Sequence, residues 1–100
     1  MLVEINKLEI INEGYKRNIS ISKVFVNPSH IISIRDYDGI NKFLISENAS
    51  KYVNKKYSLI KVNNVNGTEE IIALGTSEQI QLSLTNTKKL LNGWQILNYW

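Results

Sequence analysis

Residues 58–82, SLIKVNNVNGTEEIIALGTSEQIQL, carry the clearest structural pattern of the chain. Two apolar runs flank Asn66-Gly67, and this arrangement is the strongest short-range signal of a β-hairpin. A two-residue loop at Asn66-Gly67 would require a positive φ at both residues. It would place four apolar residues on one face through the pairs Val62–Ile71 and Ile60–Ala73. The sequence therefore predicts two antiparallel strands here.

The segment after this hairpin, residues 77–91, fits two alternatives. Alternation at Ile80, Leu82 and Leu84 suits a strand, whereas the spacing of Ile80, Leu84, Thr87 and Leu91 suits a helix. The ends favour the helix, because Thr76-Ser77 can cap its start and Asn92-Gly93 can close it.

Upstream, three further segments have the composition of strands, namely residues 1–11, 18–26 and 31–36. Gly14 supplies a turn after the first, since glycine tolerates a positive φ. Pro28 ends the second, because proline cannot donate to a ladder and keeps Asn27 extended.

A further hairpin is predicted at Asp38-Gly39. Its register would set Ile34 opposite Phe43 and Ile32 opposite Ile45. Residues 46–56 have no clear period and are predicted to form a loop or one short helical turn.

These segments predict a mostly β fold. We expect a small, partly open antiparallel barrel or bent sheet of five to six strands, closed by one C-terminal helix. One hundred residues suffice for a single domain. We therefore expect one β-rich domain over residues 1–100, with residues 94–100 as an aromatic C-terminal tail.

Composition excludes several classes of site. The chain has no cysteine, so it has neither disulfides nor thiolate metal ligands. The N-terminus lacks the pattern of a secretory signal, and no apolar run has the length of a membrane span. We expect a cytoplasmic protein with no membrane partner, or a virion component if the chain is phage-encoded.

The titratable residues indicate no catalytic, metal or cofactor site. His30 is the single histidine and follows a proline turn, where a structural role is usual. Asp36 and Asp38 flank Tyr37, but no further oxygen ligands accompany them. The glycines are scattered among turns and caps, so no phosphate-binding loop is predicted. We therefore predict that the protein is not an enzyme and needs no cofactor.

A lysine–tyrosine segment suggests a nucleic-acid site. It consists of Lys51, Tyr52, Lys55, Lys56 and Tyr57, and single-stranded nucleic acids are bound by such cations and flat rings. The net charge of +3 would assist this, but ten of the twelve basic residues are lysines, whereas arginine suits phosphate better. The interpretation that we favour is a solvated loop whose tyrosines cover the core.

The C-terminal tail suggests a protein interface. Trp and Tyr dominate interface hot spots, and chain ends fray unless they are docked. The predicted interface residues are Trp94, Ile96, Tyr99 and Trp100.

Residues 23–84 combine KVFVNPSHIISI with the hairpin and its capped helix. This pattern resembles the small FlbD/SwrD-like bacterial modules at Val24, Val26, Asn27, Ile31, Ile34, Ile60, Val62, Asn66, Gly67, Ile71, Ser77 and Ile80. It implies a small β-module; the family is associated with flagellar operons and motor function, and similar modules are found among uncharacterised phage proteins. The N-terminal extension, the longer segment 36–56 and the aromatic tail depart from the pattern, so the resemblance bears on fold more than on function.

Together these observations predict a non-enzymatic assembly or adaptor protein that forms a homo-oligomer or joins another assembly protein, phage-encoded or virion-associated. One alternative is a single-stranded nucleic-acid-binding module that uses residues 51–57. Another is a sponge for a small ligand or nucleotide, with pockets between subunits.

Overall fold

One open antiparallel sheet organises the described chain. The structure is a computed structural model and describes residues 2–85. Its five strands lie in the order β2-β1-β5-β4-β3, which leaves β2 and β3 as the two edges. The elements are β1 (Val3–Glu13), β2 (Lys16–Val26), a 3-10 turn (Pro28–His30), β3 (Ile31–Asp36), helix α1 (Ile40–Ser46), β4 (Tyr57–Asn64), β5 (Gly67–Leu74) and helix α2, described over residues 77–85. The predicted fold class, a mostly β fold of five to six antiparallel strands with one C-terminal helix, is confirmed: in the described residues the sheet has five strands, is open rather than closed into a barrel, and has α1 as an additional short helix.

The predicted hairpin at residues 58–74 is present, with a different turn. Asn64 pairs with Gly67, so the loop residues are Val65 and Asn66, and Ile60 lies opposite Ile71. The predicted primed turn is wrong: Gly67 has a φ of 123°, but Asn66 is not among the described residues with a positive φ. The Asn64 side chain accepts a hydrogen bond from the Asn66 N–H at 3.0 Å. This Asx-type turn competes with the Asn-Gly loop and shifts the register by two residues.

A shift of two residues preserves the faces of both strands, because side chains alternate with a period of two. Ile60, Val62, Ile71 and Ala73 still lie together in one buried cluster. The predicted apolar face of this hairpin is therefore confirmed.

The predicted hairpin at Asp38-Gly39 is wrong. Residues 40–46 form helix α1, and β3 pairs with β4. Gly39 has a φ of −62°, which is helical and not the left-handed value of a primed turn. Ile40 and Leu44, spaced by one helical turn, are both buried, so the apolar residues of this segment follow a helical period.

The first hairpin joins β1 to β2 over eleven residue pairs, from Val3–Val26 to Glu13–Lys16. Gly14 lies in the turn with a φ of 63°, and β2 ends just before Asn27 and Pro28, as predicted. Asn27 is extended, and its side chain accepts a hydrogen bond from the Ser29 N–H at 3.0 Å. The chain therefore turns sharply from the edge strand β2 towards the opposite edge.

Each helix covers a different face of the sheet. On one face, here the α2 face, Ile80 packs with a cluster that contains Ile5, Val26, Ile60, Val62, Ile71 and Ala73. On the other, the α1 face, Leu8 and Tyr57 pack with Ile40 and Leu44 of α1. Tyr57 and Ile60 are an odd number of residues apart on β4, which places them on opposite faces. The core is thus two apolar layers with the sheet between them.

Helix α2 begins with a cap at Thr76, as predicted, and the structure shows that this cap is reciprocal with Gln79. The Thr76 hydroxyl accepts a hydrogen bond from the Gln79 N–H at 3.1 Å, and the Gln79 side chain accepts one from the Thr76 N–H at 2.9 Å. This capping box satisfies two of the unpaired N–H groups at a helix start. Residues 77–85 are therefore helical, whereas residues 86–91 of the predicted helix lie outside the described residues.

Candidate functional site: the open edge of the sheet

The lysine–tyrosine segment is divided between the core and the surface. Tyr57 is 1% exposed, and its hydroxyl donates a hydrogen bond to the Tyr52 carbonyl at 2.6 Å. Burial raises the pKa of Tyr57, with a smaller contribution from the neighbouring Tyr52. The ring of Tyr57 is thus a core residue of the α1 face and has no surface on which a base can stack.

The remaining members of this segment lie at the surface. Lys51, Lys55 and Lys56 are exposed, and Tyr52 is half-buried against the core. The Lys51 Nζ lies 5.7 Å from the centre of the Tyr52 ring, in the range of a cation–π contact. The three lysines offer positive charge, and one partly covered ring accompanies them.

Arg17 of β2 contacts the end of helix α1, just before the lysine–tyrosine segment. Its guanidinium forms an ion pair with Glu47 and lies 5.5 Å from the centre of the Phe43 ring. A shallow depression of about 280 Å³ opens beside it, with Asn18, Asn48, Ser50 and Lys51 in its walls. The depression is polar, but Arg17 already neutralises Glu47 there.

The predicted interface residues Trp94, Ile96, Tyr99 and Trp100 lie outside the described residues.

The two edges of the sheet differ in charge. β2 carries Lys16, Arg17 and Lys23, and Lys23 forms an ion pair with Glu4 at 3.3 Å. The first four residues of β3 are Ile-Ile-Ser-Ile, without a charge. Charged side chains are a common means of blocking an edge strand from pairing with another chain. The charges of β2 are all basic and would repel a second copy of that strand, whereas the two charges of β3, Arg35 and Asp36, have opposite signs and lie at its end.

The backbone of β3 presents hydrogen-bonding groups to this edge. The Tyr37 N–H donates to the Tyr57 carbonyl at 2.9 Å, so these two residues form a hydrogen-bonded pair. Such pairs alternate along an antiparallel ladder, which makes Arg35–Leu59 the next one. The N–H and C=O groups of Ile34 and Asp36 therefore point away from β4, towards the open edge.

Ile32 adds an apolar side chain to the same edge. The register shifts between Ile31 and Ser33, so Ile32 is the extra residue of an irregularity in β3. Its side chain is 54% exposed. In the sequence, the two consecutive isoleucines Ile31 and Ile32 interrupt the alternation of apolar and polar residues along β3, and this interruption indicates the bulge.

A groove follows the edge on the α2 face. Its volume is about 350 Å³, and it runs between β3 and α2, with Pro28, Ile31, Ile34, Gln81, Leu84 and Thr85 in its walls. The groove therefore joins apolar side chains to the outward-pointing backbone of β3. Sequence reasoning identified β3 as a strand but did not identify it as an edge.

The side chains of the described residues that could bind a metal ion do not form a site. Asp36 accepts a hydrogen bond from the start of α2, and His30 ends the exposed 3-10 turn. Within residues 2–85, no three side chains of His, Cys, Asp or Glu are close enough to share a metal ion. None of the helices in this part of the chain is long and apolar enough to cross a membrane.

Comparisons with protein-family models, with curated proteins and with solved structures found no match. The resemblance of residues 23–84 to the FlbD/SwrD-like modules stays a prediction.

Proposed function

We propose that this chain is a non-enzymatic assembly protein that forms oligomers through the open β3 edge of its sheet. The observation that carries the proposal is the contrast between the edges: the three charges of β2 are all basic, whereas β3 has one basic and one acidic residue at its end and includes the exposed Ile32.

Strand addition uses the groups that this edge offers. An unpaired edge strand is a template for another strand, which binds through main-chain hydrogen bonds and places alternate side chains in neighbouring pockets. Ile34 and Asp36 present the main-chain groups, and the groove beside α2 supplies the apolar contact. The aromatic tail predicted from the sequence would be a second contact in the same assembly.

Size-exclusion chromatography with light scattering tests the proposal on the full chain. We expect a mass above that of the 11.5 kDa monomer. Ile32→Glu should lower this mass, because it places a charge on the apolar edge. Val65→Glu makes the same kind of change at an exposed hairpin turn and should leave the mass unchanged. A wild-type protein that is monomeric at every concentration tested would contradict the proposal.

Single-stranded nucleic-acid binding is a second candidate, supported by the three exposed lysines of residues 51–57. It ranks lower because Tyr57 is buried and leaves Tyr52 as the one tyrosine of that segment with an accessible surface.

A further inference from the structure

We infer that the β3 edge pairs antiparallel with β3 of a second copy, about a two-fold axis next to Ile34. This inference rests on the proposed assembly function and names its partner. The pairing would join two five-stranded sheets into one continuous sheet. A two-fold interface uses the same patch on both copies, so the edge needs no other partner.

The direction of the backbone groups restricts this pairing. An antiparallel pair must bring outward-pointing residues opposite each other, and in the regular part of β3, after the bulge, these are Ile34 and Asp36. With the axis at Ile34, the two copies of that residue exchange a pair of N–H···O bonds. Asp36 of each copy then lies opposite the exposed Ile32 of the other.

The charges and the regular part of β3 favour a two-fold axis at Ile34 over an axis at Arg35 or at Ser33. An axis at Arg35 would place two guanidinium groups opposite each other, which is destabilising. An axis at Ser33 would place the bulge between Ile31 and Ser33 at the centre of the new ladder. With the axis at Ile34, the regular part of β3 lies in the middle and Arg35 faces the uncharged Ser33 of the second copy.

The same arrangement covers the apolar surface at this edge. A two-fold axis perpendicular to the sheet keeps both α2 helices on the same side. The two grooves, each lined by Ile31, Ile34 and Leu84, would then lie side by side across the new pair of strands. Exposed Ile32 would become covered in both copies.

The absence of cysteine makes disulfide crosslinking a direct test in the full chain. Residues of a hydrogen-bonded antiparallel pair have Cα atoms about 5.5 Å apart, within the range that a disulfide spans. Ile34→Cys should therefore form a covalent dimer under mild oxidation. Ser20→Cys, on the opposite edge strand β2, is the matched control and should give no more than collisional crosslinking.

A second pair of variants fixes the register without altering Ile34. Ser33→Cys and Arg35→Cys should crosslink when they are mixed and not when either is alone. Crosslinking of Ser33→Cys alone would overturn the inferred axis. If the folded variants remain oligomeric by light scattering but none crosslinks, the inference fails while the assembly function stands. A monomeric wild-type protein would overturn both.

Discussion

Asp36, the last residue of the edge strand β3, accepts a hydrogen bond through its Oδ1 from the backbone N–H of Ser77, at 2.8 Å. The two residues are 41 positions apart in the chain. Ser77 is the first residue of α2, so a carboxylate of the sheet occupies the positive end of that helix. This contact attaches the start of α2 to the edge strand.

Asp36→Asn should lower the melting temperature at neutral pH. The hydrogen bond from the Ser77 backbone lowers the pKa of Asp36 most, and the Ser77 side chain lowers it further. Burial opposes these two effects by a smaller amount, and the charge of Lys56 adds the smallest lowering. Since the folded pKa lies below the unfolded value of about 3.9, the stabilisation is present above that pH and is lost as the pH falls through the folded pKa. Thermal unfolding followed by circular dichroism across this acidic range measures the loss.

Asp38→Asn is the control for this prediction, because it removes the same charge two residues away from the cap. It should retain the acid-dependent loss of the wild type, whereas Asp36→Asn should show less of it. Equal acid dependence in both variants would contradict the role of Asp36.

Gly67→Val should destabilise the protein by about 1–2 kcal/mol. Gly67 has a φ of 123°, and a Cβ built there meets nothing within 4 Å, so the cost is backbone strain without a clash. Thr68→Val places the same side chain at the next position of β5 and should cost much less. Urea unfolding measures both changes, and a Gly67→Val variant as stable as Thr68→Val would show that the turn is different.

Tyr57→Phe should destabilise the protein by about 1 kcal/mol, because it removes the hydrogen bond to the Tyr52 carbonyl. It should also reduce the loss of folding stability at alkaline pH. Burial raises the folded pKa of Tyr57, so its contribution is complete below the unfolded value of about 10 and is lost as the pH rises towards the folded value. Tyr15→Phe, at a ring that is 97% exposed, should retain the alkaline loss. A Tyr57→Phe variant that loses as much stability at alkaline pH as the wild type would contradict this role of Tyr57.

Single-stranded DNA or RNA should not bind more tightly than about 1 μM in physiological salt. Residues 51–57 offer lysines without arginine, and the neighbouring Arg17 is already paired with Glu47. Fluorescence anisotropy over a salt series checks this. If tighter binding were found, and if replacing Lys51, Lys55 and Lys56 by alanine flattened the salt slope by about two units, nucleic-acid binding would rank first. Tyr52→Ala would then test stacking, whereas Tyr57→Ala would disrupt the core.

Deleting residues 94–100 should lower the order of the oligomer or make the protein precipitate. A chain of this size has limited capacity to bury Trp94, Tyr99 and Trp100 in addition to its core. Light scattering on the truncated and full chains compares the two. A soluble assembly of unchanged mass would contradict a role of the tail in assembly, and crosslinking of Ile34→Cys in both chains would assign the contact to the β3 edge alone.

The sequence by itself determined the features that depend on a few neighbouring residues. Gly14 has the positive φ that its turn needs, Pro28 ends β2, and Thr76 caps α2. These are local choices, since turn geometry and caps are set by residues within about four positions of each other.

Only the tertiary structure decided which segments meet. Residues 40–46 were compatible with a hairpin after Asp38-Gly39, but β3 pairs instead with β4, beyond the loop, and α1 covers the face that contains Leu8 and Tyr57. Helix α1 buries Tyr57, and the pairing with β4 leaves β3 as an edge. Alternative turns differ little in free energy, whereas the burial of whole apolar faces against each other stabilises the fold much more. Contacts between distant segments therefore determine the strand order, and with it which edge is open.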